Sequence, residues 1–97
     1  MIYVTLHAQR RARQRLRKPS RSALRAAKEA WEHGMRIEET RGFLRDVLDD
    51  KVLRHGKGAD LRVYRGSIWI FEGQTLLTVY RVPPSLRRAA EKQERRR

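Results

Sequence analysis

His7, Arg11 and Arg15 fall at i, i+4 and i+8 in a run that reads as a helix, so one side of it carries an imidazole and two guanidinium groups. That set suits a phosphodiester. A neutral imidazole can take the proton of a ribose 2′-hydroxyl while guanidinium groups offset the charge growing on phosphate. The same three residues also suit a helix start in which His7 packs or bonds a neighbouring carbonyl and the arginines are simply solvated, or one in which the arginines touch phosphate without catalysis. A second set, Arg62, Tyr64, Trp69, Phe71 and Tyr80, alternates onto one face of a predicted sheet and is followed by Arg81. Aromatic rings there could stack bases while arginines hold phosphate. Trp69 and Phe71 read as core in so small a chain, which leaves Arg62, Tyr64, Tyr80 and Arg81 to carry the chemistry.

The elements that must position these residues follow from pattern. Ile2-Tyr3-Val4 is a β-prone run suited to an edge strand, and Thr5 is a natural N-cap for a helix from about Leu6 to Lys18, stopped by Pro19. Ser20 or Ser22 can cap a second helix that ends near His33, with Gly34 after it. Leu24, Ala27, Trp31 and Met35 give that helix its expected buried face. Thr40 is placed to cap a third helix, from about Arg41 to Leu53, in which Phe43 pairs with Val47 and Leu44 with Leu48. Arg54-His55-Gly56-Lys57-Gly58 then reads as a flexible basic loop. Leu61–Arg65, Ser67–Phe71 and Thr75–Val82 are β-rich runs separated by glycine turns. Leu61, Val63, Ile68, Ile70, Leu77 and Val79 form the aliphatic face expected to pack on the helices. The expected fold is α+β: a short N-terminal strand, two to three helices, a three-stranded antiparallel meander packed on them, and a basic C-terminal tail helix. Residues 1–84 read as one domain and 85–97 as a basic, partly helical or disordered tail.

Charge narrows the function. The chain has 97 residues, 24 of them Lys or Arg against 11 Asp or Glu, a formal net charge of +13. Residues 22–80 are nearly balanced, at a net +1. The excess lies at the two ends, +7 over residues 1–21 and +5 over residues 81–97. Such blocks mark segments that meet a polyanion. Nineteen of the 24 cations are arginine, the residue suited to bidentate phosphate contacts and to stacking on bases. RNA is therefore the preferred partner, with DNA open. Arg10, Arg87 and Arg88 extend the basic set, and the run from Arg87 to Arg97 could add nonspecific affinity for a phosphate backbone. That run lacks the large apolar side chains of a membrane-surface helix.

Other classes find little support. With no cysteine there is no disulfide framework, thiolate zinc site or thiol nucleophile. His7, His33 and His55 lack the carboxylate spacing of a metal site, and Asp46, Asp49 and Asp50 sit among Arg45, Lys51 and Arg54, so no metal or cofactor is expected. His33 and His55 read as isolated. No phosphate loop, dinucleotide turn or nucleophile elbow is present. The N-terminus turns basic after its apolar start, the reverse of a secretory signal, and a cytoplasmic setting is expected. No oligomeric state is specified.

Three motifs carry a family resemblance: His7-Ala8-x-x-Arg11-x-x-x-Arg15, Gly34 followed by Glu39-Thr40-x-Gly42, and Arg62-x-Tyr64-x-Gly66 with Ile70-Phe71, Leu76-x-Thr78-Val79 and Pro83. Together with the element order they resemble the RelE/barnase-like group of small RNA-cleaving folds, and small uncharacterised proteins of phages and mobile elements. The resemblance implies contact with RNA or a nucleoprotein complex, as an accessory or an inhibitor of host defence would make. It also implies an alternative, metal-independent toxin-type endoribonuclease. In that reading His7 or Tyr80 moves protons while Arg11, Arg15, Arg62 or Arg81 holds phosphate. The chain departs from a barnase-type site, having Glu72 in a turn and no His after His55. Binding without catalysis is the expected function.

Overall fold

The glycine turns after Arg65 and Glu72 fold the chain's C-terminal half into the expected meander, and a computed structural model describes its surroundings over residues 1–96. In chain order the elements are β1 (Tyr3–Val4), α1 (Leu6–Leu16), α2 (Ser20–His33), β2 (Met35–Arg36), α3 (Gly42–His55), β3 (Ala59–Tyr64), β4 (Ser67–Glu72), β5 (Thr75–Arg81) and α4 (Arg87–Arg95). Short 3-10 turns at Ile37–Glu39 and Pro84–Leu86 precede α3 and α4. The fold is α+β, with five strands in the order β1-β5-β4-β3-β2; β1 runs parallel to β5 and the other pairs are antiparallel. The expected three-stranded meander is thus the middle of a wider sheet, flanked by two-residue strands on both sides.

Helices cover both faces. Ala8 and Ala12 of α1 and Ala23, Ala27 and Ala30 of α2 pack on Trp69, Phe71, Leu76 and Val79. Leu44 and Leu48 of α3, with Ala90 of α4, pack on Leu61, Val63, Ile68, Ile70 and Val82. On the first face small helix residues meet large sheet residues, so the helix axes approach closely and each ring stays enclosed.

Two expectations about packing are corrected here. The buried face of α2 is the stripe Ala23, Ala27 and Ala30; of the expected Leu24, Ala27, Trp31 and Met35, Ala27 is fully buried and Trp31 packs half-buried against the core, while Leu24 is 48% exposed and buried Met35 belongs to β2. Gly34 ends α2 with an ordinary φ of −67°. Glycine is required there by contact, since a Cβ would lie 2.4 Å from the Ala30 carbonyl oxygen and 2.8 Å from the Arg62 Cβ. On β5, Val79 faces α1 and α2, while Tyr80 and Val82 face α3 and α4. Directly opposed antiparallel residues share a face, and Val79 stands opposite Trp69. A register shift then leaves Leu77 unmatched, because Ile70 opposes Thr78 while Phe71 opposes Leu76.

Local capping also differs in part. Thr5 caps α1 as expected, its hydroxyl accepting from the Ala8 N–H. Thr40 instead closes the preceding 3-10 turn by donating to the Ile37 carbonyl, and α3 starts at Gly42. Pro19 is the N-cap residue of α2, and the side chain of Ser20 lies outside what is described. The last helix is docked. Gln93 accepts from the Arg41 N–H at 2.9 Å and donates to the Arg41 carbonyl, Glu94 accepts from the Arg65 N–H, and Ala90 is buried. Arg97 lies outside the described residues.

Candidate nucleic-acid interface

β1 pairs only with Thr75 and Leu76, so the outer edge of β5 from Leu77 onward has no strand beside it. An open edge offers unpaired backbone groups. Here α1 covers it with a side chain: Arg15 donates from Nη1 to the Val79 carbonyl at 3.0 Å, and Arg81 donates from Nε to the carbonyl of Arg15. Sequence spacing explains the reach. Ala8 and Ala12 bury one side of α1 against the sheet, and Arg15, three residues on, lies at the margin of that side.

Tyr80, next on β5, gathers cations from both faces. The Arg15 guanidinium lies 4.2 Å and the Lys51 Nζ 3.6 Å from its ring centroid, the first from α1 and the second from α3. Cations over a phenol ring gain from its quadrupole. The Tyr80 Oη lies 3.3 Å from Nε2 of His55, and the two rings meet edge to face at 6.1 Å. Burial, then Lys51 and Arg54, hold the imidazole pKa below its ordinary 6.5. His55 is thus neutral at pH 7 and able to accept a proton. No carboxylate stands among these contacts.

The sequence reading names Arg15 in the set on α1 and Tyr80 and Arg81 in the separate set on the sheet, and the structure brings these three together. It adds Lys51 and His55, which pattern reading missed. His55 is not an isolated loop residue: α3 runs through it, so Lys51 and His55 lie at i, i+4 on one side of the last turn. That spacing was the available signal, hidden by the glycines that follow.

The other expected residues lie elsewhere. His7 is exposed and pairs with Arg11, whose Nε donates to His7 Nε2 at 3.4 Å and whose Nη1 donates to Gln14. Eight residues separate His7 from Arg15, about 12 Å of helix rise, so His7 stands apart from Tyr80. Arg10 is exposed on α1, and Arg87 and Arg88 are exposed at the start of α4. Arg62 is 4% exposed; it donates to both Asp60 carboxylate oxygens and to the Trp31 carbonyl, and its guanidinium lies 4.5 Å from the Trp31 ring. Those contacts commit it to the interior. Tyr64 donates to Glu29 at 2.9 Å, and its hydroxyl pKa is raised by burial and that hydrogen bond. Trp69 and Phe71 are core under α1 and α2, as expected.

Comparison with protein-family models, with curated proteins and with solved structures finds no match. No helix among the described residues is long and apolar enough to cross a membrane.

Proposed function

We propose that this chain binds single-stranded RNA at the outer end of β5, with Arg15 and Arg81 holding backbone phosphate beside Tyr80. The observation that carries the reading is the Tyr80 cluster: two cations on one ring, neither in an ion pair with an acid among the described residues. Exposed Arg10, Arg87 and Arg88 extend the positive surface on α1 and α4. Arginine at this density supplies the phosphate term of affinity and makes it steeply dependent on salt. The natural target is an RNA or an RNA-containing complex of the kind small phage and mobile-element proteins occupy.

One geometric fact favours a second reading, metal-independent cleavage. His55 Nε2 and Tyr80 Oη stand 3.3 Å apart, two groups that could serve as base and acid where the sequence offered His7 alone. In such a step the 2′-oxygen bonds to phosphorus as its proton passes to His55, and the 5′-oxygen leaves with the Tyr80 proton. The His55 proton then returns to the Tyr80 phenolate. Arg15 and Lys51 would offset the charge on the phosphorane oxygens.

Labelled single-stranded RNA incubated in EDTA and run on a gel tests both. Retarded, intact RNA is the expected result, and RNA that runs freely at 50 mM salt removes the reading. Discrete products that disappear in Tyr80→Phe, with retardation kept, establish cleavage.

A further inference from the structure

A depression of about 580 Å³ adjoins the Tyr80 cluster through Arg81, and a second of about 280 Å³ lies beyond it. They share Lys18, Arg65 and Ser67 in their walls and so form one groove. Its near end is lined by Arg81 and Arg87, and Arg81 is bonded to the backbone of Arg15. Its far end is lined by Arg25, Tyr64 and Trp69.

The backbone that presents the two shared cations is unusual. Among the described residues, only Arg17 and Arg65 have positive φ without being glycine, at 54° and 47°. Arg17 lies in the α1–α2 connection and is followed by Lys18; Arg65 is itself the first residue of the β3–β4 turn, before Gly66 at φ 79°. Two successive positive φ values are the geometry of a tight hairpin turn that prefers Asn or Gly at its first position. An arginine there is sterically disfavoured for the turn. A strained residue kept in a cavity wall points to a use for its side chain.

The acids of the groove are partly engaged already. Glu29 accepts from the Tyr64 hydroxyl and Glu94 from the Arg65 N–H, and with Glu91 they set three carboxylates against Lys18, Arg25, Arg65, Arg81 and Arg87, so the lining keeps an excess of positive charge. Trp69, 2% exposed, lines the far cavity, and its indole N–H has no hydrogen-bond partner. The far cavity sits just below the usual size of a small-ligand site, with room for one base and none for a duplex.

Building on the RNA reading, we infer that this groove is the path of the nucleotides adjoining the phosphate at Tyr80. The ribose–phosphate chain runs past Arg81, Lys18 and Arg65, and one base enters the far cavity beside Tyr64 and Trp69. The site therefore reads several linked nucleotides of a single strand.

Fluorescence anisotropy in EDTA with random-sequence oligoribonucleotides of two and eight residues tests the path. The double variant Arg25→Ala/Arg65→Gly should lose tenfold or more in affinity for the octamer and keep that for the dimer. Arg65→Gly also relieves the turn, so thermal stability should hold or rise as affinity falls, a split that a structural role would not produce. Arg36→Ala/Arg45→Ala, which removes equal charge outside the groove, should leave both affinities unchanged. An octamer bound by Arg25→Ala/Arg65→Gly as tightly as by the unaltered chain overturns the groove alone. Equal losses on both lengths, or an equal loss in the control variant, also overturn it by showing a diffuse field. If the unaltered chain binds neither oligonucleotide, the RNA reading falls and the groove with it.

Discussion

Arg62 lies 4.5 Å from the Trp31 ring and Arg15 lies 4.2 Å from the Tyr80 ring, two similar contacts at the two strands that flank β4. The difference lies in what else each cation meets. Arg62 has a carboxylate in bidentate contact, a backbone carbonyl, and almost no exposure to water. Arg15 meets a carbonyl and a ring, shares that ring with Lys51, and makes no ion pair among the described residues. A cancelled, buried charge holds β3 to α2. An uncancelled charge at a strand edge keeps its field for a ligand. Residue type alone does not separate the two; the neighbours do.

Removing the acid from the first cluster should have the largest effect. Asp60→Ala leaves the Arg62 guanidinium buried with only the Trp31 carbonyl and ring, and breaking such a pair from one side costs about 3 kcal/mol, toward the lower limit because Asp60 itself is partly exposed. Urea unfolding should show that loss, with RNA affinity of the folded fraction unchanged. A stable Asp60→Ala protein with weakened RNA binding would reverse the roles assigned to the two clusters.

Arg15→Ala should show the opposite profile. The buried Val79 carbonyl loses its donor, but truncating Arg15 also opens the strand edge to water, so stability falls by about 1 kcal/mol, the lower end for such a group. RNA affinity should fall about tenfold, and the slope of log affinity against log salt should become shallower by about 0.7, the value for one phosphate contact on a single strand. Titration at several salt concentrations measures both, and an unchanged slope would take Arg15 out of the phosphate site.

The central strands were legible because Leu61, Val63, Ile68 and Ile70 alternate without interruption, and the pleat turns that alternation into a face. On β5 the same rule assigned the wrong face, since the shift at Leu77 changes the phase and no residue there announces it. The face of α2 was hidden for another reason. Ala23, Ala27 and Ala30 carry little hydrophobic weight, so Leu24 and Trp31 dominated the pattern, although Leu24 is exposed and Trp31 is only half-buried at the margin of the core. Of the site, Tyr80, Arg15 and Arg81 could be named from residue type and place. Lys51 and His55 could not, because their contact with Tyr80 is made between α3 and β5, elements joined only by the fold.

The smallest effect expected is a pH dependence belonging to the second cluster alone. His55 has its pKa lowered in the folded chain by burial and by Lys51 and Arg54, while the unfolded chain keeps the ordinary 6.5. As pH falls below 6.5 the unfolded state therefore takes up a proton before the folded state does, and stability declines. The contribution is complete above 6.5 and is lost as pH drops through the folded value. Because His55 is only partly buried, the decline should be slight beside the Asp60→Ala loss. His55→Gln, which keeps a group able to bond the Tyr80 hydroxyl but does not titrate, should flatten the curve between pH 7 and 5. Urea midpoints at matched ionic strength measure it. An undiminished decline in His55→Gln would assign the titration to another group and leave the imidazole beside Tyr80 without an electrostatic role.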